Sequence, residues 1–126
     1  MAWQVRSDIP VYRQIISRLR AELLEGKYPA DGQIPPVRQL AFEAAVNPNT
    51  MQRALAELEE EGLLYTRSTA GRFVTSDGAV LRRARETMHR ETMERLISEA
   101  LSVGITRDEL ITFLEATNNM KEDDAT

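Results

Sequence analysis

The chain has 126 residues, of which 42% are hydrophobic and 29% charged, with a formal net charge of −4 and no cysteine. Such a mix belongs to a globular protein of one domain, or of a small domain plus an appendage. It excludes disulfide scaffolds, cysteine-ligated zinc and thiol catalysis, and no run approaches the roughly 18 apolar residues that span a bilayer.

Met1 to Pro10 lacks the basic-then-apolar order of a signal peptide, so a soluble cytoplasmic protein with no membrane partner is expected. Residues 1–9 read as irregular. Pro10 suits a first helical turn, where its missing N–H costs nothing. Val11, Ile15, Ile16, Leu19, Leu23 and Leu24 recur at helical spacing and Gly26 is a stop, which predicts a helix over about 11–25. GKYPADGQIPP, residues 26–36, is dense in Gly and Pro and reads as an ordered loop. Val37, Leu40, Ala41 and Ala44 share one face of a short second helix, which Val46-Asn47-Pro48 breaks. Asn47 as cap and Pro48 as first residue start a third helix, running to about Glu61. Its apolar stripe is Met51, Ala54, Leu55 and Leu58, and Gly62 is its C-cap.

Leu63–Arg67 and Arg72–Thr75 are β-prone runs flanking Ser68-Thr69-Ala70-Gly71, a hairpin signal. Residues 76–78 read as a short hinge. A long helix follows over Ala79–Val103, with Val80, Leu81, Ala84, Met88, Leu96, Ile97, Ala100 and Val103 on its apolar side. Gly104 ends it. Thr106 with Glu109 is a capping-box pattern for a last helix over 107–117, which carries Leu110, Ile111 and Leu114 on one stripe. Residues 118–126 are polar and read as a frayed tail.

The expected class is mainly α with a small β-hairpin: a winged helix-turn-helix (1–75), a hinge (76–78) and a two-helix dimerisation segment (79–117). In such a layout the third helix is the recognition helix, whose N-terminal side chains meet base edges in the major groove of double-stranded DNA. Asn47, Asn49, Thr50 and Gln52 are compact polar groups at that end, and Arg53 lies one turn beyond Asn49, off the apolar stripe. Asn can pair twice with adenine and Arg with guanine. The acidic balance does not oppose this. Residues 1–75 hold nine basic and nine acidic side chains, whereas 76–126 hold seven and eleven. Binding DNA needs a local basic face, not a basic whole.

IPPVRQLAFEAAVNPNTMQRALAELEEEGLLYTRSTAGRFV resembles the winged-helix signature of the GntR family. VNPNT…RA…LE.EGL and the lead-in DIPVYRQI at 8–15 resemble its YtrA-type branch. The resemblance implies a transcription repressor. It implies that Arg38 grips the DNA backbone, that Asn47, Pro48, Asn49 and Thr50 enter the groove, and that Arg53 is a basic position of the recognition helix. Thr69 to Arg72, including Gly71, match a wing tip that reaches the adjacent minor groove. Two positions depart from the pattern: Pro36 stands where the family often has Ser, and the wing, RSTAGRF, is less rich in Arg and Gly.

No Gly-rich phosphate loop, nucleophile elbow or histidine cluster is present, so no enzyme, cofactor or metal is expected. The competing class is a winged-helix protein-interaction module without DNA binding. It would carry acidic or apolar residues where this chain has Asn, Thr and Arg. One winged helix reads too few base pairs for a genome, and an apolar stripe of the length of 79–103 cannot all pack on a 75-residue domain. A homodimer on an inverted-repeat operator is therefore expected. Leu81, Ala84, Met88, Leu96, Ile97 and Ala100 would form its interface, where an unidentified small-molecule effector could act.

Overall fold

Pro10 precedes α1 (Val11–Glu25), which buries Ile15, Ile16, Leu19, Leu23 and Leu24 along one face. This computed structural model describes Trp3 and residues 9–125, with side chains up to residue 117. The irregular lead-in expected over 1–9 lies almost wholly outside these, as does Thr126. α1 stops at Gly26, whose φ of 85° turns the chain so that the Gly26 and Lys27 amides return to the Leu23 and Glu22 carbonyls.

α2 (Val37–Ala44) and α3 (Pro48–Glu60) follow as expected. The turn between them is tight. Ala45 sits at φ 57°, and the Val46 amide donates to the Ala41 carbonyl at 3.0 Å. Asn47 then caps α3, its Oδ1 accepting from the Asn49 amide at 2.7 Å. α1 and α2 both pack against α3. Ile15, Leu40, Met51, Leu55, Leu58 and Leu63 are at most 2% exposed. Each such burial stabilises by about 1.5–3 kcal/mol. The Arg20 fork closes on the Glu61 carboxylate, Nε to Oε1 at 2.9 Å and Nη2 to Oε2 at 2.6 Å, which ties α1 to the end of α3.

β1 (Leu64–Thr66) and β2 (Arg72–Val74) pair antiparallel, with Leu64 opposite Val74, Tyr65 opposite Phe73 and Thr66 opposite Arg72. The segment read as a loop does more than connect. The Asp31 amide donates to the Val74 carbonyl (2.8 Å), Val74 to Gly32 (2.9 Å) and Ile34 to Arg72 (3.0 Å). Residues 31–34 thus run along the outer side of β2, with Gln33 bridged to Phe73. The Tyr65 hydroxyl donates to Asp31 Oδ1 at 2.8 Å, which holds the phenol pKa above its ordinary value.

α4 (Gly78–Ser102) and α5 (Arg107–Ala125) complete the chain. The residues read as a hinge lead directly into α4. Asp77 Oδ1 accepts from the Ala79 and Val80 amides, and Gly78 is the first helical residue. The first turns of α4 are held in place: Val80 lies beside Gly62, and Arg85 donates to the Leu24 carbonyl at 3.2 Å. The expected Thr106–Glu109 capping box forms in both directions. α5 runs past the expected 107–117 to Ala125, and NNMKEDDA contains no Gly or Pro to stop it.

The chain divides into two compact units, Met1–Glu86 and Thr87–Thr126, and the division falls inside α4. The first unit holds the core. In α4 no residue is buried, and Met93, Leu96, Ile97, Leu101, Phe113 and Leu114 are all at least 50% exposed. No helix among the described residues is long and apolar enough to cross a membrane.

Candidate nucleic-acid interface

The inward positions of α3 leave little choice about what faces out. Met51, Ala54, Leu55 and Leu58 are buried, so at 3.6 residues per turn Asn49, Gln52 and Arg53 point away from the core and are exposed. Pro48 is exposed and Thr50 half-buried. Asn47 spends its carboxamide oxygen on the cap, which leaves its NH2 group for other partners. Arg53 does not hang loose. Its guanidinium lies 3.9 Å from the centroid of the Tyr12 ring, on the first turn of α1. That geometry fits a cation–π contact and pre-sets the direction of the side chain.

Arg38 stands exposed at the start of α2, with no ion pair among the described residues. Pro36 supplies no side-chain cap to that helix. The first α2 amides therefore stay available beside a fixed positive charge, an arrangement that favours an anion such as phosphate.

The wing tip is shaped by its own backbone. The Ala70 amide donates to Arg67, the Arg67 amide donates to Gly71, and Ser68 takes a φ of 46°. Gly71 has a φ of 112°, and a Cβ there would meet Gln33 Nε2 at 2.8 Å. The φ is what calls for glycine, since the exposed Gln33 side chain could shift to admit a Cβ. Thr69 and Ala70 are exposed at the tip. Gln33 in turn donates to the Ala70 carbonyl.

The two wing arginines face opposite ways, as period-two alternation requires. Arg67 is exposed, its guanidinium 5.4 Å from the Phe73 centroid, and Phe73 stacks on Tyr65 at 5.8 Å. Arg72 turns toward α3. Its Nε donates to Glu59 Oε1 at 3.1 Å and its Nη1 reaches Gln52 Oε1 at 3.5 Å. Sequence reasoning grouped Arg72 with the tip. The structure instead brings it together with Gln52 and Glu59, and leaves Arg67 as the outward cation of the hairpin.

The residues expected at a dimer interface fall into two groups. Leu81, Ala84, Met88 and Ala100 are half-buried, whereas Leu96 and Ile97 are 55% and 50% exposed. Met93, Leu101, Phe113 and Leu114 add further exposed apolar surface that was not singled out as interface. No group of acidic or histidine side chains among the described residues is arranged to hold a metal ion.

Residues 11–74 match the family described as bacterial regulatory proteins, gntR family. The HTH-type transcriptional repressor YtrA of Bacillus subtilis (strain 168) is 33% identical over 106 residues, covering 83% of this chain and 82% of that protein. A GntR family transcriptional regulator from Listeria monocytogenes has a similar fold, with a TM-score of 0.77 at 32% identity over 89% of this chain and 98% of that one. The DNA-binding domain of AraR, solved in complex with operator ORE1, matches at a TM-score of 0.51 and 27% identity, covering 60% of this chain and 94% of that chain.

Proposed function

The chain belongs to the gntR family of bacterial regulatory proteins and is a DNA-binding transcription regulator, not an enzyme, and we propose that it acts in the cytoplasm as a homodimeric repressor on an inverted-repeat operator. The observation that carries this reading is the outward face of α3. Asn49, Gln52 and Arg53 stand exposed on a helix whose opposite side is closed in the core.

In this reading the α3 N-terminus, Asn47 to Thr50, enters the major groove, and Gln52 and Arg53 reach base edges one turn further on. Arg38 and the open α2 amides hold a backbone phosphate, which sets register without reading sequence. Thr69 and Gly71 at the wing tip, with Arg67 beside them, reach the neighbouring minor groove. Arg72 braces the wing. The repressor name of YtrA and the operator bound by the AraR domain support repression through DNA.

Two copies associate through residues 79–117, with Leu96, Ile97, Ala100 and Met88 at the centre and Leu81 and Ala84 toward the head. The exposed apolar side chains of that segment support this, since a chain on its own would leave them in water. A small-molecule effector, unidentified here, would act at that contact by changing the angle between heads. A two-fold dimer sets its two α3 helices about one helical turn apart, roughly 10 bp centre to centre.

Selection of bound duplexes from random DNA, at stated salt, tests the reading. The expected product is an inverted repeat with that spacing. Half a helical turn inserted between half-sites, roughly 5 bp, puts them on opposite faces and is expected to abolish tight binding. Unchanged affinity after the insertion would show heads that bind independently, and the paired-head arrangement would be wrong.

A further inference from the structure

Resting on the DNA-binding reading, we propose that Glu59 is a positioning residue that holds Arg72 away from the DNA, so that α3 and not a phosphate sets the wing. Glu59 Oε1 accepts from both strands of the hairpin, from Thr66 Oγ1 on β1 and from Arg72 Nε on β2 at 3.1 Å. Thr66 and Arg72 are a directly opposed pair in the ladder. They lie on the same hairpin face as Leu64 and Val74, each 2% exposed. One carboxylate on the recognition helix therefore gathers the two strands at the base of the wing.

The contact is well placed to persist when DNA arrives. The Arg72 side chain is only 16% exposed and that of Glu59 30%, so the pair is partly out of water and less screened than a surface ion pair. Swinging Arg72 to a phosphate would leave the Glu59 carboxylate with the Thr66 hydroxyl but no cation, beside an incoming polyanion. Arg72 also touches Gln52, one of the proposed groove residues, at 3.5 Å. The same guanidinium thus links wing placement to a reader on α3. The charge balance follows. Arg72 is paired with Glu59, whereas Arg67, set against Phe73, has no ion pair among the described residues.

Counterion release reads this out, because each phosphate contact adds about 0.9 to the slope of log K against log salt. The experiment titrates the full chain with a duplex recovered by selection and with a scrambled duplex, between about 50 and 200 mM salt. It compares wild type, Arg72→Gln, Glu59→Ala and the double variant. Arg72→Gln keeps a donor for Glu59 and loses the charge; its slope is expected to match wild type. Glu59→Ala releases Arg72 and is expected to steepen the slope by about one unit on both duplexes, roughly a 3.5-fold greater loss of affinity across that range. In the double variant the slope returns to the wild-type value.

A slope flattened by about one unit in Arg72→Gln alone would overturn the proposal, because Arg72 would then already be on a phosphate. Equal steepening by Glu59→Ala with and without Arg72 would overturn it too, because loss of the carboxylate's own repulsion would explain the change. Should Glu59→Ala fail to fold by circular dichroism, Arg72→Gln decides alone. A wild-type chain that binds neither duplex overturns the DNA-binding reading itself, an outcome distinct from those that overturn the role of Glu59.

Discussion

Replacing Leu96 and Ile97 together by Ala tests where two copies meet. In the single chain these side chains are 55% and 50% exposed, so each has about half its apolar surface left to bury. Complete burial stabilises by about 1.5–3 kcal/mol, so the remaining half is worth about 1 kcal/mol per side chain, most of which Ala forfeits. A two-fold interface uses each residue twice. Four such losses weaken association by about 4 kcal/mol, or about a thousandfold in dimer Kd. Ala is the best helix former, and neither side chain is buried in the single chain, so α4 is expected to keep its helicity. Sedimentation equilibrium across a concentration series measures the Kd, and circular dichroism checks the fold. A dimer as tight as wild type would refute the reasoning and move the interface off this part of α4. Loss of helix content would mean instead that these residues support the fold itself.

Arg38→Ala is expected to weaken binding to every duplex alike and to flatten the salt slope by about one unit, whereas Asn49→Ala is expected to cost about 1–3 kcal/mol on the selected duplex only. Competition titrations separate the two, and the reverse pattern would exchange their roles. Tyr12→Leu removes the ring under Arg53 and keeps apolar bulk. A loss of about two- to fivefold on the selected duplex is expected, matching a cation–π contact of about 0.5–1 kcal/mol, and a binding curve like wild type would show that Arg53 needs no support. Ala45 and Gly71 both take positive φ, at 57° and 112°. Ala45→Gly is expected to raise thermal stability by about 0.5–1 kcal/mol, since relief of left-handed strain exceeds the added unfolded-state freedom. Gly71→Ala is expected to lower stability by at least about 1 kcal/mol, and calorimetry checks both signs.

The head was largely legible in the sequence because each of its helices carries both a stripe and a stop. Gly26, Asn47-Pro48 and Gly62 mark boundaries that the backbone respects to within a residue. Asn49, Gln52 and Arg53 were legible for the same reason, since they are what remains once the stripe is assigned inward. The far end of α5 was not, because nothing in its composition marks a stop. Contacts remote in sequence left no local trace. Tyr12 lies under Arg53 although the two are on different helices, and 31–34 bond β2 through backbone groups that any sequence possesses. The inward turn of Arg72 was legible in the period, because alternation from the buried Val74 puts it on that face, whereas the family resemblance that grouped it with the wing tip says nothing of which face a residue takes.

The backbone pairing of 31–34 also bears on how the protein survives at high concentration. A bare strand flank offers unpaired amides and carbonyls to any other chain, and short hairpins are especially liable to recruit a stranger's strand. Here the Asp31, Val74 and Ile34 amides and the Val74, Gly32 and Arg72 carbonyls satisfy one another, so the outer flank of β2 has no such template to offer. Gly32 cannot be enlarged freely, because a Cβ there would come within 2.8 Å of Pro29. Lesions in this stretch, far from any groove contact, would therefore show first as turbidity and lost soluble yield, while whatever protein remained in solution still chose its operator correctly.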